Sequence, residues 1–192
     1  MPHAQRIRMM LGSFIPIEDD DWEKLSANFK HRSFKKGDLL IREGEHETYM
    51  NFLIKGATRN FFMHDDKEYT IEFFFEGEFV TAYYSLITNE PSLVTIEFIE
   101  NTEVISFPYR DIENLHKTSL ENNIVGRKMA EMHYIKRLRR EMELLSLTAE
   151  ERYNKLLDKN PTMVSNISVK HLSSYLGIHP ESLSRIRKKR LS

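Results

Sequence analysis

The sequence predicts an α+β fold in three successive parts: an antiparallel β unit, a long helix, and two short C-terminal helices joined by a tight turn. Three observations predict it. Residues 33–107 are glycine-punctuated runs rich in Phe, Ile, Tyr and Thr. From Arg110 to Leu147 there is no proline and apolar residues recur every three or four positions. Ile167–Arg190 reads ISVKHLSSYLGIHPESLSRIRKKR, two amphipathic segments around a glycine.

Before the β unit, Asp20-Asp21-Trp22-Glu23 reads as a helix start, with acids in the first turn where they favour the helix dipole. Trp22, Leu25 and Phe29 follow at helical spacing. The runs SFKKGDLLIREGE, YMNFLIKGATRNFFM and KEYTIEFFFEGEFV come next, with turn signals at Gly37, Gly44, Gly56, Asp65-Asp66 and Gly77. That spacing belongs to an antiparallel sandwich or barrel. Ser92–Phe98 and Thr102–Phe107 add two strands, giving about eight in all, and Pro108 closes the unit.

The helix beyond it carries a narrow stripe of Val125, Met129, Met132, Ile135, Leu138, Met142 and Leu145, with Lys and Arg on its other faces. A stripe of this width on a helix of this length is the seam of a helix pair, which predicts a homodimer. Packing on its own β unit is the other use for the same stripe. Thr148-Ala149-Glu150-Glu151 is a capping box, so a new helix starts directly after Leu147 and runs to Asn160-Pro161. The junction reads as a hinge.

In the terminal stretch Ser168 is placed to cap the first helix. Leu172 and Leu176 share one face, with Tyr175 beside them. Gly177 ends the helix, because glycine takes a left-handed φ without steric cost. Ile178 plugs the turn and Pro180 starts the second helix, which Leu183 and Ile186 hold against the first. Glu181, Ser182, Ser184, Arg185, Lys188 and Lys189 remain on the other face. This is the layout of a helix-turn-helix, whose second helix enters the DNA major groove. Glu181 suits a cytosine amino group and Arg185 the O6 and N7 of guanine. The run Arg187-Lys188-Lys189-Arg190 suits phosphates.

Charge supports the division. Residues 167–192 hold six Lys/Arg against Glu181, a net of +5, while the preceding residues sum to −6. A basic end on an acidic body fits a polyanion-binding part joined to one with another task. With no cysteine, disulfides, thiolate catalysis and Cys-ligated clusters are excluded, in keeping with a cytoplasmic location. No apolar run is long enough for a signal peptide or a membrane span, so no membrane partner is expected. The eight histidines show no H-x-H or H-E-x-x-H, and there is no G-x-S-x-G or Walker-type loop. The reading is not an enzyme, with no metal and no cofactor; haem is not expected.

The order of parts, the glycine-punctuated run FKKGDLLIREGE…FLIKG…FFFEGEF, the junction LTAEERYNKLL and above all YLGIHPESLSRIRKK resemble the CRP/FNR superfamily of bacterial transcription regulators. The resemblance implies a jelly-roll, cyclic-nucleotide-binding-like effector domain over 1–115, a dimerisation helix over 116–147, and a helix-turn-helix domain over 148–192. It implies a homodimer on near-palindromic double-stranded DNA, with RNA polymerase a further partner. Glu181 and Arg185 become the base-reading pair, Ser182 and Ser184 line their face, and Ser168 and Lys170 meet the DNA backbone.

Two departures qualify this. Members that bind cyclic AMP carry Gly-Glu after the strand-ending glycine, and Arg-Ser before the next strand. Here those places read Thr81-Ala82 and Ser92-Leu93. A cyclic phosphate buried without a cation is penalised by several kcal/mol, so control by cyclic AMP in the usual mode is not expected. Thr81, Ala82, Tyr83 and Ser92 are the candidate effector-pocket residues, for an unknown small molecule or for none. The cluster Phe73, Phe74, Phe75, Tyr83 and Tyr84 divides between such a pocket and the core. The second departure is the wing after the recognition helix, expected to be short or absent because the sequence stops at Ser192. The competing reading is a β-roll sensor of a small molecule or protein, whose C-terminal helices dock a partner instead of reading DNA.

Overall fold

The computed structural model describes residues 2–13, 17–117, 120–159 and 161–191. The Val125 and Arg190 side chains, one in the expected stripe and one in the basic run, lie outside the described residues. In chain order the elements are α1 (Pro2–Gly12), α2 (Asp19–Ser26), β1 (Lys30–Phe34), β2 (Leu39–Ile41), β3 (Tyr49–Lys55), β4 (Ala57–His64), β5 (Lys67–Phe75) and β6 (Phe79–Val80). They continue as α3 (Tyr83–Thr88), β7 (Thr95–Phe98), β8 (Thr102–Pro108), α4 (Tyr109–His116), α5 (Leu120–Ser146), α6 (Ala149–Lys159), α7 (Pro161–Asn166), α8 (Val169–Leu176) and α9 (Pro180–Leu191).

The strands form two four-stranded sheets, β1-β8-β3-β6 and β2-β7-β4-β5, the interleaved order of a jelly roll. Strands β3 and β8 explain how both faces of a sheet are buried. Their side chains alternate: Met50, Phe52, Ile54, Ile105 and Phe107 pack with Ile7, Leu11, Trp22 and Leu25 of α1 and α2, while Leu53 and Val104 join Val80, Ile96 and Phe98 between the sheets. On the inner face Ser106 Oγ donates to Asn51 Oδ1 at 2.6 Å. Arg59, nearly fully buried, pairs with Glu97 at 2.6 Å. The turn signals are all backbone positions of positive φ: Gly37, Gly44, Gly56, Gly77, and Asp65 with Asp66. Two consecutive left-handed residues between β4 and β5 are what a two-residue hairpin turn of the primed kind needs.

Several elements differ from the sequence reading. Phe29 lies beyond the end of α2 and reaches Trp22 edge-on, ring centroids 5.6 Å apart, from the loop. The strand expected from Ser92 begins at Thr95, because the Ser92 hydroxyl closes a turn, donating to Val94 O at 2.7 Å and accepting from Val94 N at 3.2 Å. The Pro-free stretch is two helices, α4 and α5, not one. α1, α3 and α7 were not anticipated.

By backbone proximity the chain divides into two compact units, residues 1–60 with 73–132, and residues 61–72 with 133–192. The second unit thus contains the distal parts of β4 and β5 as well as the C-terminal half of α5 and α6–α9. No helix among the described residues is long and apolar enough to cross a membrane.

Candidate nucleic-acid interface

The interface is built in the second unit on a small apolar centre. Leu172 and Leu176 of α8 and Leu183 of α9 are fully buried, beside Val164, Ile167 and Tyr153. The backbone does what the residue types dictate. Ser168 Oγ accepts from His171 N at 3.1 Å, capping α8. Gly177 ends it at φ +68°, its N–H donating to Ser174 O at 3.1 Å while Ile178 N–H reaches Ser173 O at 3.0 Å. His179 O then accepts from Ser182 N at 3.0 Å as α9 opens on Pro180.

On α9, Glu181, Ser184, Arg185, Lys188 and Lys189 are exposed, with Ser182 half-buried. Arg185 donates to Ser182 Oγ at 3.3 Å and Ser184 Oγ donates to Pro180 O at 3.1 Å. Glu181, Ser184, Arg185 and Lys188 occupy positions i, i+3, i+4 and i+7, one face of a helix. The basic run divides. Arg187 is turned inward, donating to Val164 O at 3.2 Å with its guanidinium 6.0 Å from the Tyr153 ring centre, so it holds α9 on α6 and α7. Lys189 pairs with Glu150 at 3.0 Å. Only position, not composition, separates these roles from phosphate binding.

The capping box fixes the start of α6. Glu151 Oε2 accepts from Thr148 N and Thr148 Oγ, each at 2.8 Å, and Glu151 N donates to Thr148 Oγ1 at 3.3 Å. The Thr148 N–H, and after it the hydroxyl, holds the Glu151 carboxyl below the usual carboxylate range.

Four residues that the sequence reading did not single out complete the unit. Arg140 stacks over the Tyr175 ring at 3.9 Å from its centre and donates to Tyr175 O. Arg152 donates to Leu147 O and, at 2.7 Å, to Leu176 O. The two arginines thereby satisfy the last carbonyls of α8, which a helix leaves free. Ser174 and Glu68 do the corresponding work on the other side of α8. Thr70 N–H donates to Ser174 Oγ at 2.8 Å, Ser174 Oγ donates to Glu68 O at 2.7 Å, and Glu68 Oε1 pairs with Lys170 Nζ at 2.7 Å. Lys170, expected at the DNA backbone, is therefore in an ion pair with an acid from β5. No local pattern announces contacts between residues so far apart in sequence.

The candidate effector residues lie in the first unit. Thr81 is buried, its hydroxyl donating to Tyr49 O at 3.0 Å, and Ala82 is part of the core between the sheets. Tyr83 begins α3 and is exposed, as is Tyr84; Phe73 and Phe74 are core residues. Ser92 is buried and spent on its own turn. A cleft of about 430 Å3 lies beside α3, lined among others by Glu47, Tyr49, Leu86, Asn89, Tyr109 and Glu113, and by none of those four. Burial pushes the Glu47 carboxyl up against the opposing pull of the Tyr49 and Thr48 N–H groups, each 2.9 Å from Oε1. The described residues hold no cluster of three metal-ligating side chains.

Comparison with known proteins places this fold. Residues 31–119 match the cyclic nucleotide-binding domain family. Among curated proteins none is similar in sequence to this chain. Among solved structures, the chain is similar to the c-di-GMP-responsive global regulator CLP of Xanthomonas campestris, with a TM-score of 0.69 and 19% identity over 91% of this chain and 92% of that one. It is similar to FixK2 from Bradyrhizobium japonicum, with a TM-score of 0.71 and 20% identity over 84% and 83%. A protein assigned to the crp/fnr family of transcriptional regulators from Eubacterium rectale gives 0.72 and 16% over 90% and 83%. Residues 31–119 thus match the cyclic nucleotide-binding domain family, and the chain shares a CRP/FNR-like fold with these solved structures.

Proposed function

We propose that the chain is a sequence-specific DNA-binding transcription regulator of CRP/FNR type, acting as a homodimer on near-palindromic operators. The observation that carries this is the α8–Gly177–α9 arrangement, with Glu181, Ser184, Arg185 and Lys188 exposed along one face of α9. Glu181 and Arg185 are assigned to base edges, Ser182 and Ser184 to the same face, and Ser168, Lys170, Lys188 and Lys189 to the backbone. Arg187, held on Val164 and Tyr153, is assigned to positioning α9.

Cyclic AMP is not assigned as effector. The first of the two places where a binding pair stands in members that take it holds Thr81-Ala82, and Thr81 is hydrogen-bonded to Tyr49 O. The second holds Ser92-Leu93, and Ser92 is bonded to its own turn. Neither offers a cation to a cyclic phosphate. The β-roll is assigned to an effector of other chemistry or to a purely structural role, and no enzymatic step is assigned to it.

The test is to present the purified chain, without ligand, to a random-sequence duplex pool at near-physiological salt and to sequence what is retained. The expected result is a two-fold symmetric site with half-sites about one helical turn apart, unaltered by added cyclic AMP. Arg185→Ala is expected to lose discrimination at one position per half-site, by about 1–3 kcal/mol, and to keep its salt-sensitive retention. Retention with no enriched sequence in the wild-type chain would overturn base reading and favour a docking role for the helices.

A further inference from the structure

The contacts between residues 68–72 and the C-terminal helices carry an inference that rests on the DNA-binding reading and deepens it. β5 is an edge strand of its sheet. An edge strand presents backbone groups that need partners, and Ser174 of α8 satisfies two of them with a single hydroxyl, accepting from Thr70 N at 2.8 Å and donating to Glu68 O at 2.7 Å. That serine fixes where the Glu68 side chain can reach. Its carboxylate lies 2.7 Å from Lys170 Nζ. Four residues along the strand, Glu72 pairs with Lys136 of α5 at 2.7 Å and lies 3.9 Å from Arg137. The edge of β5 thus carries its acids against cations on both α8 and α5.

Lys170 is a cation on the first helix of the helix-turn-helix, the helix that crosses the DNA backbone in this motif. A phosphate and the Glu68 carboxylate ask for the same ammonium. We propose that Glu68 is a competing anion: it holds Lys170 in the free protein and must release it when α8 meets DNA, so that the β5 edge acts as an autoinhibitory strap on the interface. Ser174 supplies the geometry and Glu68 the charge. The Lys170 side chain, about two-thirds exposed, is open to solvent and to a phosphate from the side away from Glu68.

Glu68→Gln tests this with little change of shape, and it leaves the Ser174 bonds to the strand backbone in place. Binding of full-length chain to the selected duplex is followed across salt concentrations for wild type, Glu68→Gln, Lys170→Gln and the double variant. Glu68→Gln is expected to bind several-fold more tightly at low salt. The slope of log affinity against log salt should steepen by up to about one phosphate equivalent. Lys170→Gln should weaken binding and, in the double variant, abolish the gain from Glu68→Gln.

Equal affinity and slope for wild type and Glu68→Gln would overturn the proposal, and so would a gain that persists in the Lys170→Gln background, which would make Glu68 a source of general repulsion. In parallel, amide exchange at Thr70 is followed with and without duplex. Loss of protection on binding would show that the Ser174 contact opens together with the ion pair, which supports release of the β5 edge. If no variant binds any duplex, the DNA-binding reading itself fails, an outcome distinct from binding that is insensitive to residue 68.

Discussion

Gly56 shows how much one hydrogen atom can decide. It turns β3 into β4 at φ +100°, and a Cβ there would lie 2.3 Å from Thr102 Oγ1 and 2.8 Å from Thr102 Cα. The second contact is to backbone, so no rotamer of Thr102 relieves it. Gly44 has a comparable φ of +88° but open space around it. Gly44→Ala is therefore expected to lose only the left-handed backbone preference, about 1–2 kcal/mol. Gly56→Ala should lose roughly 3 kcal/mol or more, because overpacking adds to strain. Urea midpoints of the two variants against wild type check this, and equal losses would show that Thr102 yields. The glycines themselves were legible in the sequence, since a demand for positive φ is local. The overlap with Thr102 was not, because it arises only when the end of β3 pairs with the start of β8. Arg187 teaches the same lesson: in the sequence it is one of four consecutive basic residues, and only Val164 O and the Tyr153 ring separate it from its neighbours.

The start of α6 is decided by the four-residue capping box. Glu151 has its pKa lowered in the folded chain, so its contribution is present above the ordinary carboxylate pKa and is lost as pH falls through the depressed folded value. Thr148→Ala removes its hydroxyl partner and is expected to destabilise by about 1 kcal/mol at pH 7. The loss should narrow on acidification through that window, as wild type gives up the same interaction. Denaturant melts at neutral pH and near pH 3 measure it, and a difference that ignores pH would remove the Glu151 carboxylate from the account. The box was readable because its whole chemistry fits in four residues. The boundary between α4 and α5 was not, since a stretch without Pro gives no stop signal. α1 was missed for another reason: the two anchors of PHAQRIRMMLG, Ile7 and Leu11, count only once the β-sheet that receives them exists.

For the molecule as a whole, the stripe on α5 divides between burial and exposure. Met129 packs against the core of the first unit. Met132, Ile135, Leu138 and Met142 are exposed, and Leu145 is 83% exposed. A row of large apolar side chains in water along several turns of helix is a surface that a second copy would cover. Leu138→Glu is expected to halve the mass measured by light scattering at micromolar concentration while helical circular dichroism is retained. A wild-type chain that is already monomeric, or a variant that stays dimeric, would remove the stripe from the dimer. The order of parts could be read from the sequence because each has its own period, two for strands and between three and four for helices. Which residues share a compact unit could not, since periodicity says nothing about partners distant in the chain.

That grouping has a consequence for heredity and for dissection. The second unit is assembled from residues 61–72 and 133–192, so the backbone passes between the units near residues 60, 72 and 132. No single cut in the protein, and no single crossover in its gene, can separate them intact. A fragment beginning at Thr148 would carry α6–α9 but leave behind Glu68, Thr70 and Arg140, stripping Lys170, Ser174 and Tyr175 of partners they have in the whole chain. The C-terminal helices of this protein are thus poorly suited to transfer as a free-standing cassette. A working chimera would have to bring the hairpin with them.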